Sequence, residues 1–141
     1  MRVLVIDDNK EITDMLSFYL ESLDGYECEV INDGKEGLQA IKSTNFDVVI
    51  LDLAMPEYSG IDIINSLKKD NLLGKNKIIV LTASSLTEED TNNLVRDGVR
   101  AVLKKPISVD ELTRPCNNLN TRINVYFIIA YHHPLQVLRH R

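Results

Sequence analysis

The chain has only two cysteines, Cys28 and Cys116, far apart and at no metal-ligand spacing. They read as ordinary thiols of a reducing compartment rather than as a disulfide. Excess basic charge is also missing. A net charge of -5 and a pI near 5.2 disfavour a dedicated nucleic-acid-binding surface. The apolar run Val125 to Tyr131 near the C-terminus falls far short of the roughly 20 residues that span a bilayer. The opening "MRVLVIDDNK" is too short in its apolar part and too acidic for a signal peptide. A cytoplasmic protein with no membrane partner is therefore expected. Internal repeats and low-complexity linkers are lacking, and 141 residues suit one domain. What is present is ordinary globular material, 44% hydrophobic and 26% charged, enough for a real core.

Apolar runs alternate with helical stripes. "VLVI" (3–6) is short, β-branched and uninterrupted, as in a strand buried on both faces. From Asn9 the period changes, and Ile12, Met15, Leu16, Tyr19, Leu20 and Leu23 line one helix face that stops at Asp24-Gly25. "ECEVI" (27–31) alternates like a strand nearer an edge. A second helix follows "NDG", with Asp33 as its cap and Leu38 and Ile41 inward. "DVVIL" (47–51) and "KIIVLT" (77–82) are further apolar strands, separated by a helix after Gly60 with the stripe Ile61, Ile64 and Leu67. Thr87 with Asp90 forms a capping box, Asp97-Gly98 ends that helix, and "RAVLK" (100–104) is a shorter strand stopped by Pro106. Ser108 and Glu111 form another capping box, opening a fifth helix. Such alternation predicts a (βα)5 three-layer α/β sandwich, a parallel five-stranded sheet with helices on both faces.

The last segment breaks the pattern. Pro115 interrupts a fifth helix near its second turn, and "INVYFIIAY" (123–131) looks strand-like. Residues 113–141 contain no acidic residue but carry Arg114, Arg122, Arg139 and Arg141. They read as an atypical tail, either a loosely packed extension or an apolar segment that pairs with another chain or a sheet edge. Its histidines, His132, His133 and His140, have no carboxylate nearby in sequence and do not make a metal site.

In an open parallel sheet, ligands bind beyond the carboxyl ends of the strands, where strand order reverses. The chain places Asp7 and Asp8, Asp52, Thr82, and Lys104 with Lys105 at successive strand ends. Taken singly, Asp7 or Asp8 could cap the first helix, Thr82 could simply end a strand, and Lys105 could be a solvated charge. Taken together they share one sheet edge, whereas Asp24, Asp33, Asp47, Asp62 and Asp97 read as caps, turns and solvated faces. Converging carboxylates repel one another and stay ionised cheaply only beside a cation. Oxygen ligands without His or Cys point to a hard metal, Mg²⁺ first. With a hydroxyl and an ammonium added, these are the parts of a phosphoryl-transfer site. A carboxylate can itself accept phosphate as an acyl phosphate.

Four stretches carry a family likeness: "VLVIDDN" (3–9), "DVVILDLAMPEYSGIDII" (47–64), "IIVLTA" (78–83) and "LKKPIS" (103–108). In this order and spacing they resemble the receiver domain of two-component response regulators. The likeness covers about residues 1–112, leaves 113–141 as the tail, and suggests a stand-alone receiver. It implies a flavodoxin-like fold with strand order 2-1-3-4-5. It implies that Asp52 is the phosphoacceptor, supplied by a sensor histidine kinase or a histidine phosphotransfer protein, and that the output is an unknown protein partner. By the same likeness Asp7, Asp8, Asp52 and the backbone carbonyl of Ala54 hold Mg²⁺, with Mn²⁺ a substitute. Thr82 and Ala83 bind the phosphoryl group and report its presence, Lys105 pairs with it, and a homodimer is left open. The family usually has an aromatic residue at the position of Val102, so rotamer gating by a ring is not expected here. The implied role is that of a phosphoacceptor, not an enzyme, beyond self-catalysed phosphorylation and dephosphorylation. One alternative is a phosphorylation-independent interaction module. The other, an aspartyl-phosphate phosphatase, is disfavoured because Ala54 stands where a second aspartate would be needed.

Overall fold

The computed structural model describes residues 1–83 and 86–104, Lys104 by its backbone alone. Lys105, the expected fifth helix, the tail and its histidines lie outside the described residues. The elements alternate as expected: β1 (Arg2–Ile6), α1 (Lys10–Glu21), β2 (Glu27–Ile31), α2 (Gly34–Ser43), β3 (Val48–Asp52), α3 (Gly60–Lys69), β4 (Lys77–Thr82), α4 (Glu88–Asp97) and β5 (Ala101–Lys104). All pairings are parallel, and the sheet order is β2-β1-β3-β4-β5. This is the flavodoxin-like order. The register sets Ile6 beside Leu51 and Asp52 beside Leu81, so β1, β3 and β4 end nearly level.

Strand burial follows strand position. Every residue of β3, at the centre, is buried, while β2, at the margin, is half-exposed with Glu27 and Glu29 facing solvent. Side chains alternate across the sheet. Val3, Val5, Val48, Ile50, Ile79, Leu81 and Leu103 share a core layer with Leu16 and Leu20 of α1. Leu4, Ile6, Val49, Leu51, Ile78, Val80 and Val102 share the other with Ile41, Ile63, Ile64, Leu67 and Leu94 from α2, α3 and α4. Each fully buried Leu, Ile or Val contributes about 1.5–3 kcal/mol. On the second face, Lys42 reaches Asp70 at 2.9 Å and Lys68 reaches Asp97 at 3.0 Å.

The starts of α2 and α4 match their sequence signals, and α3 adds a capping box that the sequence reading did not name. Asp33 accepts from the Glu36 N–H, and Ser59–Asp62 and Thr87–Asp90 form reciprocal capping boxes. Such caps contribute about 1 kcal/mol each. Gly98 ends α4 with φ 127°, a conformation that favours glycine. The stripe of α3 differs from expectation: Ile63, Ile64 and Leu67 are buried, but Ile61 is exposed. Ile64 and Leu67 are buried as expected, and Ile63, one position from Ile64 on the helix surface, takes the place assigned to Ile61. Among the described residues, no helix is long and apolar enough to cross a membrane.

Gly60 is where the chain folds back over the end of β3. Its N–H donates to the Leu53 carbonyl at 3.0 Å, and a Cβ there would meet the Asp52 carbonyl oxygen and come within 2.7 Å of Leu53 Cα. Both obstacles are backbone and cannot rotate aside. Gly60→Ala is expected to cost about 2–3 kcal/mol, read as a lowered midpoint in urea unfolding; an unchanged midpoint would contradict this packing.

Cys28 lies half-buried on β2 under α1. Burial pushes its thiol up from 9.0 to about 11; a hydrogen bond with Ser17 opposes the rise, and Glu21 and Glu29 add to it. A thiol with a raised folded pKa contributes stability that is complete below its unfolded pKa and lost as pH rises through the folded one. Stability is therefore expected to fall between about pH 9 and 11. Cys28→Ala should flatten that part of the profile, measured by urea unfolding across the alkaline range.

Candidate functional site

β1 and β3 are neighbours, and their carboxyl ends deliver aspartates to the same point. Asp7 is 1% exposed and Asp52 2%, while Asp8 is open to solvent. One carboxylate oxygen from each of Asp7, Asp8 and Asp52 lies within 4.8 Å of the other two. Among the described residues, no other group of three potential metal ligands comes together in this way. Burying a lone carboxylate costs several kcal/mol. Two of them side by side therefore call for compensating positive charge. A compact set of carboxylate oxygens, with one member reaching solvent, fits a hard divalent cation such as Mg²⁺, which keeps part of its water shell.

The loop from β1 to α1 resolves one ambiguity of the sequence. Neither Asp7 nor Asp8 caps the first helix. Asn9 does, its side-chain oxygen accepting from the N–H groups of Glu11 at 2.9 Å and Ile12 at 3.3 Å. With the cap supplied by Asn9, the aspartates keep their carboxylates for the site. Asp7 Oδ1 accepts from the Asn9 N–H at 2.9 Å, so the cap residue also orients Asp7.

After Asp52 the ladder runs one step further. The Leu53 N–H donates to the Leu81 carbonyl at 3.3 Å, and Leu53 remains buried. Ala54 is then exposed at the start of the β3–α3 loop. The loop turns sharply: the Tyr58 N–H donates to the Pro56 carbonyl at 2.7 Å, and Glu57 takes φ 64°. Beneath it, Gly34 at the start of α2 abuts the Tyr58 carbonyl so closely that no Cβ fits.

Thr82 ends β4 next to β3 and is buried, with Ala83 exposed after it. Val102, opposite Val80, is buried in the layer that holds Leu94 and Val99. A branched aliphatic thus fills the position where a ring was noted as missing. The structure brings Asp7, Asp8 and Asp52 together and sets Thr82 on the adjoining strand end; Lys105 lies outside the described residues. Sequence reading missed two polar residues beside the site. Asn32 Nδ2 donates to the Asp7 carbonyl at 2.7 Å and to Thr13 Oγ1 at 3.1 Å. "NDG" signalled a helix start through Asp33 and gave no role to Asn32, and the buried Thr13 lay hidden among the apolar residues of α1.

Comparison with known proteins agrees with this geometry. The family model "Response regulator receiver domain" matches residues 3–117. Response regulator SaeR of Staphylococcus aureus is 35% identical over 136 residues, 96% of this chain. The match spans only 56% of SaeR's own length. Among solved structures, the receiver domain of Francisella response regulator 1452 aligns with TM-score 0.68 at 36% identity, covering 79% of this chain and 88% of that one. The Thermotoga maritima response regulator TrrA, in complex with Mg²⁺-BeF, aligns with TM-score 0.63 at 33% identity, covering 79% and 91%. A sheet in the order 2-1-3-4-5, with three aspartates at its point of reversal and this match over most of its length, belongs to the response regulator receiver domain family.

Proposed function

We propose that this receiver accepts a phosphoryl group on Asp52 from a phosphohistidine of a sensor kinase or phosphotransfer protein. The observation that carries the proposal is the convergence of Asp7, Asp8 and Asp52 at the carboxyl ends of β1 and β3. The complex of the relative TrrA with Mg²⁺-BeF supports the same reading. In the transfer, an Asp52 oxygen attacks phosphorus, the P–N bond to the donor imidazole breaks with its electron pair, and an acyl phosphate forms. Asp7, Asp8, Asp52 and the Ala54 carbonyl would hold Mg²⁺. When bound, that ion supplies neutralising charge for the crowded carboxylates and the phosphoryl oxygens.

The chain's own contribution is placement. β3 is buried along its whole length, so Asp52 is presented from a rigid strand end rather than a mobile loop. Thr82 then donates its hydroxyl to the new phosphoryl group, helped by the Ala83 backbone, and Lys105 pairs with the group's charge. Added charge and strong acceptor oxygens beside Thr82 pull that strand end inward. With Val102 already packed in the core, the response runs through backbone movement after β4 rather than through a turning ring. The protein then acts in the cytoplasm as a phosphoacceptor that signals by protein contacts.

The test is intact-mass measurement of the full chain with Mg²⁺ and a small acyl phosphate or phosphoramidate. A single phosphoryl adduct is expected, and it should be absent in Asp52→Asn. Asp8→Ala should slow its formation about a hundredfold, the size expected when one element of preorganised charge stabilisation is removed. An adduct that survives Asp52→Asn, or no adduct in the wild-type chain with any donor, would overturn the proposal. Thr82→Ala is expected to keep the adduct but lose the accompanying amide chemical-shift changes around β4 and α4. Unchanged shifts between wild type and variant on phosphorylation would remove Thr82 from the response.

A further inference from the structure

The β1–β2 ladder ends at the pair Ile6 and Ile31, one residue short of the site. The Asp7 N–H still reaches the Ile31 carbonyl at 3.2 Å. The Asp7 carbonyl is met by a side chain instead, Asn32 Nδ2 at 2.7 Å. The N–H and carbonyl of Asp7 are thus held by the last residue of β2 and the residue that follows it. The same Asn32 amide donates to Thr13 Oγ1 at 3.1 Å, and Thr13 Oγ1 donates to the Lys10 carbonyl at 3.2 Å. Thr13 is fully buried on the inner face of α1. Asn32 therefore ties three elements together at the base of the loop that carries Asp7 and Asp8.

We propose that Asn32, braced by Thr13, is a positioning residue for the cation site: it fixes the Asp7 backbone so that the Asp7 and Asp8 carboxylates face Asp52. The inference rests on the reading of these aspartates as cation ligands. The physical ground is directional. A carboxylate that must meet two others within 4.8 Å has little tolerance for rotation of its own backbone. Buried ligands hold their geometry through such outer hydrogen bonds, and losing one typically weakens metal binding by about tenfold or more. Nothing in this network requires Asn32 to touch the ion. Its amide has no negative charge to offer, and its NH2 group donates to two acceptors, the Asp7 carbonyl and Thr13 Oγ1, that both lie inside the fold.

The test is Mg²⁺ titration of the full chain by isothermal calorimetry, well below each variant's melting temperature. Asn32→Ala is expected to weaken Mg²⁺ binding about tenfold. Thr13→Val, which keeps shape but loses the hydroxyl, should weaken it less, and Thr13→Ser should restore it. Asn76→Ala is the control. Asn76 accepts from the Phe46 N–H at 3.1 Å just before β3 begins, at the amino ends of the strands and so at the far end of the sheet from the aspartates, and its loss should lower stability without changing Mg²⁺ affinity. If Asn32→Ala does not fold, the Thr13→Val and Thr13→Ser pair decides, by binding that is lost and then restored. Wild-type affinity in Asn32→Ala, with Asp8→Ala defective, would overturn the positioning role and leave the cation site standing. Equal weakening in Asn32→Ala and Asn76→Ala would also overturn it, as a general stability effect. No Mg²⁺ binding by the wild-type chain would overturn both.

Discussion

A carboxylate at the buried end of a buried strand constrains this whole molecule. Asp52 ends a strand with no exposed residue, and it shares its corner with a second buried acid, Asp7. Such an arrangement is costly in isolation. The corner opens to solvent at Asp8 and at the β3–α3 loop, where Ala54, Pro56 and Glu57 are exposed. The apolar residues of β3 do more than fill the core. They fix the register with β1 and β4, and that register sets where Asp7, Asp52 and Thr82 end up.

The loops have the complementary task of leaving that corner accessible without letting it loosen. Gly60 lets the returning chain pass directly over the last residues of β3. Gly34 lets α2 come up under the same loop at Tyr58. Asn9 starts α1 without drawing on the acids before it, and Asn32 closes the gap where the ladder runs out. Two glycines and two asparagines thus shape the loops next to the aspartates without adding negative charge to them. The two capping boxes and the two lysine–aspartate pairs on the other face act at a distance, holding α3 and α4 where their apolar stripes meet the sheet.

Much of this was legible in the sequence because the signals were local and strong. Uninterrupted apolar runs marked three of the strands, and Asp33, Thr87 with Asp90, and Gly98 marked helix ends that the structure reproduces. The convergence of Asp7, Asp8 and Asp52 followed from topology, since strand ends on a parallel sheet meet at its reversal point. What escaped was non-local or depended on phase. Asn32 acts on a residue 25 positions away, which no spacing rule can reveal. Thr13 sits where an apolar residue would satisfy the pattern. Ile61 fits the same stripe spacing as Ile64 and Leu67, yet it is Ile63 that packs inward beside them. Asp7 and Asp8 could not be told from helix caps until Asn9 was seen to hold that place.

The margin of the sheet carries a different consequence. β2 ends the strand order, and its outward residues are Glu27 and Glu29. A parallel sheet of apolar strands invites further strands at its rim, in other copies of the chain above all. Two glutamates in alternation place like charge against any identical edge that approaches. The strand that is weakest as a piece of core thus sets charge at the rim of a sheet whose other strands are apolar.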